Sequence, residues 1–164
     1  ILAEAGSMLG VALSTVVNIM DITTAVIGGG ISAAPDFLFD AAAALVASLP
    51  ELAGGRTVTL LVAMMRDKPI KPVLATLLSA LPGDGVVVCT QSTNPRSLPA
   101  AELAAAAREL AGAEVRVEAE SLPLAALGRG RQVAGRDGAL VVTGSNYLLA
   151  DLLREPGEPA GATL

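Results

Sequence analysis

Apolar residues in this chain come in short uninterrupted runs separated by longer stretches of mixed, helix-like periodicity, and punctuation by Gly and Pro falls between them. Thr57 to Met64, Val86 to Thr90 and Ala139 to Thr143 are continuous apolar runs of the length expected for strands buried on both faces. Thr23 to Ile27 is a fourth, β-branched run ending in Gly28-Gly29-Gly30. Glu114 to Glu118 alternates charged and apolar residues, the pattern of an edge strand with one wet side. Between these runs the spacing predicts helices over 2–19, Asp36 to Leu49, Pro69 to about Leu81, Ala100 to Ala111 and Asn146 to Arg154. A weaker helix is expected after Ser121, capped by that residue and broken by Gly128 and Gly130. The tail from Glu155, with Pro156, Gly157, Pro159 and Gly161, is expected to be disordered.

Strands alternating with helices predict a single α/β domain over residues 1–155, doubly wound, three-layered and Rossmann-like, on a mainly parallel sheet of about five strands. The length of 164 residues fits one such core. Hydrophobic residues make up 52% of the chain, yet there are two Phe, one Tyr and no Trp, so small aliphatics must pack that core.

Composition removes several functional classes. A net charge of -5 without a basic stripe argues against a nucleic-acid partner. With no His and one Cys, neither a His-based triad nor a Cys/His zinc site can be built, and no metal site is expected. Cys89, closing an apolar run, reads as a buried structural thiol. The apolar stretch Ala5 to Met20 is shorter than the about 20 residues a membrane span needs and contains Ser14, Thr15 and Asn18. No signal peptide is evident, so a cytoplasmic setting is expected. The first residue is not Met, as in a fragment or an excised piece. The apolar face of helix 2–19, where Gly6, Gly10 and Ser14 recur, is expected to meet a second copy or a missing amino-terminal domain.

In a parallel sheet, ligands bind beyond the carboxyl ends of the strands, so the loops there carry the candidate chemistry. Gly28, Gly29 and Gly30 can bring backbone amides close to a ring or a phosphate, or can simply form a strand-to-helix turn. The surrounding Leu9-Gly10-Val11-Ala12-Leu13, Val17-Asn18-Ile19, Asp21 and Ala25 to Ser32 resemble the carboxy-terminal region of ROK-family sugar kinases and regulators. That likeness, over residues 1–45, implies that the three glycines line the adenosine end of an ATP site. The family's phosphate loops, catalytic Asp and zinc cluster lie upstream and are absent.

A second resemblance covers residues 46–155. Arg56 to Lys68, Asn94-Pro95-Arg96-Ser97-Leu98-Pro99 with Glu102-Leu103, and Val141 to Leu148 are similar, in order and spacing, to three motifs of the carboxy-terminal domain of folylpolyglutamate synthases, relatives of the Mur ligases. It implies an ATP-dependent ligase that activates a folate carboxylate as an acyl phosphate for attack by the amine of glutamate. On that reading Asp67, Lys68, Arg96 and Ser145 are the substrate-binding candidates: two polar contacts, a guanidinium suited to pairing with a carboxylate, and a hydroxyl with its amide at a helix start. Each also has a structural alternative, as solvated turn, surface charge or helix cap. No catalytic residue is assigned. ATP is the expected cofactor, and magnesium only where the missing ATP domain supplies its ligands.

Departures from the family pattern bear on activity. The ATP domain is not in this sequence, the family's Asp-Ala-x-His-Asn-Pro turn is replaced by Asp40-Ala41-Ala42-Ala43, and Pro69 stands for the second Asp of Asp-Lys-Asp. A ligase domain inactive alone is therefore expected. A chimeric α/β scaffold or nucleotide-binding module without catalysis is the alternative, with residues 23–49 replacing the opening βα unit of the ligase domain. A sugar-kinase fragment ranks third.

Overall fold

The computed structural model describes residues 24–27, 53–79, 81 and 83–154, with only backbone pairing given for 24–27. The predicted helices 2–19 and Asp36 to Leu49, the glycine turn Gly28–Gly30 and the tail from Glu155 lie outside the described residues.

Among the described residues, five strands and four helices follow in the order β1 (Thr24–Ile27), β2 (Val58–Ala63), α1 (Ile70–Leu78), β3 (Val86–Cys89), α2 (Ala100–Leu110), β4 (Arg116–Ala119), α3 (Pro123–Ala134), β5 (Ala139–Gly144) and α4 (Asn146–Leu153). The strands form one sheet in the order β1-β5-β2-β3-β4, and every pairing is parallel. The expected α/β class and sheet are thus observed. β5, the last strand in the chain, sits between β1 and β2, so that Val141 is flanked by Ala25 and Leu60.

Two-residue periodicity divides the strand side chains between two helical layers. Leu60, Val62, Val87 and Val141 pack on one face with Val73, Leu74 and Leu77 of α1 and Leu103, Ala104 and Ala107 of α2. Leu61, Val88, Leu140 and Val142 face the other way, against Ala126 of α3 and Leu148 of α4. All six residues of β2 are buried, as a strand covered on both sides requires.

Three expectations need correction. Helix α3 runs unbroken through Gly128 and Gly130. Gly130 is buried against β5, where an added Cβ would lie 2.9 Å from Leu140 Cδ1, so its lack of a side chain lets helix and strand approach. Ser121 does not cap α3: the cap position is Leu122, without a side-chain bond, and Pro123 opens the helix, where a missing N–H costs nothing. Strand β4 begins at Arg116 rather than Glu114, because residues 112–115 are consumed by a turn closed by Val115 N to Gly112 O at 3.0 Å. Its edge position is as expected, and it is tied to α3 by Arg129, whose Nε and Nη2 donate to Glu118 at 2.6 and 2.9 Å. Helix α1 ends at Leu78 and Leu81 follows in a turn, with Pro69 at the cap and Pro72 within the first turn.

Candidate functional site at the carboxyl edge of the sheet

Because the strands are parallel, the segments that follow β2, β3 and β5 all leave the same edge of the sheet. They are 64–69, 90–99 and Ser145, and they carry the four described candidates. Asp67 and Lys68 stand in the turn after β2, Arg96 in the long loop after β3, and Ser145 at the start of α4.

Backbone bonds join these segments. Thr90 N donates to Val62 O at 2.8 Å, Leu98 N to Met64 O at 2.8 Å and Arg66 N to Arg96 O at 3.0 Å, with an antiparallel bridge between Met65 and Ser97. The first two loops are therefore one antiparallel unit extending beyond the sheet. Ser145 N reaches back to Ala63 O at 3.0 Å, which attaches the third segment to the root of the first.

The loop after β3 is ordered by its own polar side chains, which is why it needs no regular structure. Asn94 Oδ1 accepts from Arg96 N at 2.9 Å, Ser97 Oγ from Ser92 N at 2.9 Å and Gln91 Oε1 from Ala100 N at 3.0 Å. The last bond supplies an orphan amide at the start of α2. A longer-range contact adds to these. Asp151, buried on α4, accepts from Thr93 N at 2.7 Å on Oδ2 and from Thr93 Oγ1 at 2.6 Å on Oδ1, while Arg154 donates to Oδ1 at 2.8 Å.

Charge at this edge is mixed. Arg66 and Arg96 are exposed and adjacent through the bond between their backbones. Arg66 lies 3.9 Å from Glu102, both more than half exposed, a pairing worth little in water. Lys68 is more enclosed, its Nζ 4.0 Å from Asp67 Oδ2. Such a set of cations on firm loops can hold a carboxylate or a phosphate. The hydroxyls of Thr90 and Ser92, buried at the foot of the same loop, find no hydrogen-bond partner among the described residues.

Ser145 has a structural duty: its Oγ accepts from Tyr147 N at 3.2 Å and caps α4. Gly144 before it has φ 116°, a conformation that disfavours any side chain. Sequence reasoning missed Arg66, Thr93 and Asp151. For Asp151 a signal existed, since it lies three residues after Leu148 and so shares the buried stripe of α4. Cys89 is buried, and burial pushes its thiol up to about 12, with Arg108 opposing. Its burial is as expected. Among the described residues no group of three or more His, Cys, Asp or Glu is placed to hold a metal, and no helix is long and apolar enough to cross a membrane.

Comparison with known proteins places this geometry. A folylpolyglutamate synthase from Mycobacterium tuberculosis, complexed with ADP, superposes with a TM-score of 0.56 at 26% identity, covering 72% of this chain and 28% of that one. Escherichia coli FolC in complex with DHPP and ADP gives 0.59 at 21% identity, over 70% of this chain and 25% of that one. A folylpolyglutamate synthase from Thermotoga maritima gives 0.54 at 24% identity, over 70% and 24%. The chain thus spans about a quarter of the length of the synthases it matches. No curated protein sequence matches significantly. The likeness of residues 1–45 to ROK-family kinases finds no support, nor does the chimera inferred from it. The family model described as Mur ligase, glutamate ligase domain matches residues 39–146, beginning inside that segment, and the chain belongs to this family.

Proposed function

We propose that this chain is the carboxy-terminal domain of an ATP-dependent folate–glutamate ligase, inactive without an ATP-binding domain. The observation that carries the reading is the convergence of three loops, similar to folylpolyglutamate synthase motifs, on one edge of the sheet. There they are cross-bonded and present Arg66, Lys68 and Arg96. Arg96 is suited to a carboxylate of glutamate, and Lys68 with Asp67 to the polar groups of glutamate or nucleotide. The ADP in the matching synthase structures supports a nucleotide in the adjoining cleft. ATP would be held mainly by the partner domain, which would also supply the ligands of magnesium. A cytoplasmic setting accords with this chemistry.

The test is to mix the full chain with the isolated amino-terminal domain of a folylpolyglutamate synthase, a reduced folate, ATP and magnesium, and to follow ADP release with and without glutamate. Glutamate-dependent release that requires both proteins is the expected result. Saturable nucleotide binding without release would favour a binding module that has lost catalysis. A folded chain showing neither would refute the reading.

A further inference from the structure

Resting on that reading, we propose that Asp151 is a positioning residue: through Thr93 it holds the loop after β3 so that Arg96 is set for an anionic substrate group. Asp151 is 6% exposed, and each of its carboxylate oxygens is used, Oδ2 by Thr93 N and Oδ1 by Thr93 Oγ1 and Arg154. Its partner lies 58 residues earlier in sequence, so the contact serves tertiary placement rather than local helix stability.

The loop side of the contact points the same way. Thr93 immediately precedes Asn94, whose Oδ1 accepts from Arg96 N and whose carbonyl accepts from Ser97 N at 2.9 Å. Fixing Thr93 by both amide and hydroxyl therefore fixes the origin of the turn that carries Arg96. Arg96 O in turn receives Arg66 N, which places the second cation relative to the first. Asp151 follows Ser145 on the same helix, so one rigid element sets the exit from β5 and the exit from β3 together. This chain of bonds fixes the backbone from which the exposed Arg96 side chain extends, which lowers the ordering cost of binding.

The experiment uses the full chain in the two-protein assay above, reading KM for glutamate and kcat in Asp151→Ala, Arg96→Ala and the double variant. Misplacement of a binding group costs about 10- to 100-fold, and Asp151→Ala is expected to raise KM for glutamate by that much with a smaller change in kcat. The decisive result is non-additivity: in the Arg96→Ala background, removal of Asp151 should raise KM no further. Asp151→Asn, which keeps an acceptor for Thr93 N, should recover part of the loss. Should Asp151→Ala fail to fold, Thr93→Val deletes the hydroxyl from the loop side and replaces it in the cycle. Additive effects on KM would overturn the positioning role while leaving the ligase reading intact. Absence of glutamate-dependent turnover in the unaltered chain would instead overturn the ligase reading, and this role with it.

Discussion

Replacing Gly144 by Ala probes the junction on which the carboxyl edge is built. Gly144 ends β5 with φ 116°, and a Cβ there would run into the carbonyl oxygen of Ala63, a backbone atom held in the neighbouring strand. Adopting that φ with a side chain costs about 1–3 kcal/mol. Relieving the collision by moving strands costs about as much again, and losing the bond from Ser145 N to Ala63 O adds about 1 kcal/mol. The sum is about 3–7 kcal/mol, a large part of the stability of an ordinary domain. Urea titration followed by far-UV circular dichroism should show the midpoint fall by about 2 M at a typical slope for a chain of this size. Gly128→Ala is the matched control. Gly128 lies inside α3 with open space around its missing Cβ, so the same substitution should stabilise by about 0.5–1 kcal/mol through helix propensity. A loss below about 1 kcal/mol at Gly144, smaller than any one strain component, would refute the reasoning, as would effects of the same sign at the two positions.

Ser145→Ala should destabilise by about 1 kcal/mol through loss of the α4 cap, while Ser145→Asp should be tolerated; equal losses in urea titrations of both would contradict the capping role. Glu118 is held below its ordinary 4.5 by the hydrogen bond from Arg129, with the charges of Arg129 and Arg116 adding to that effect against desolvation. A lowered folded-state value means stabilisation that is present above 4.5 and lost as pH falls through the depressed value. The stability difference between the native chain and Glu118→Gln, measured across pH, should therefore be level at neutral pH and shrink below 4.5; a difference that grows on acidification would refute the pairing. Cys89, with its thiol pushed up to about 12 by burial, should react with a disulfide reagent at pH 8 only as fast as the protein opens, and immediate stoichiometric labelling would contradict this.

The sheet was legible because its strands announce themselves. Val86–Cys89 is apolar throughout and Val58–Ala63 is so except for Thr59, a pattern that suits a sheet covered on both sides. The alternation around Arg116–Ala119 likewise marked an edge. Helix α3 was misread because the feature that seats it on β5, the absence of a side chain at Gly130, is indistinguishable in sequence from a helix breaker. The candidate loops were found because each follows a strand, and parallel strands must deliver them to one edge. Asp151 and Thr93 were not: the spacing from Leu148 marks Asp151 as facing inward, but its partner Thr93 in a distant loop is joined to it only through the fold. Residue pairs joined only through the fold leave little local mark.

The position of β5 between β1 and β2 has a consequence for how the chain is made. While a ribosome is still synthesising residues 58–119, β1 has no neighbour among the described strands and β2 has only β3, so two apolar edges face solvent at once. Both are closed by a single event, the arrival of Ala139–Gly144, which must insert into a gap rather than add to a rim. The local helices and the β2–β3–β4 part of the sheet can form before β5 arrives, but the five-stranded sheet cannot, and long-range parallel pairing of this kind is slow. Exposed strand edges of this kind are what makes partly folded chains prone to aggregation. The helix bearing Asp151 follows directly behind β5, so the last tie on the loop carrying Arg96, from Thr93 to Asp151, is added only once β5 and α4 have been made.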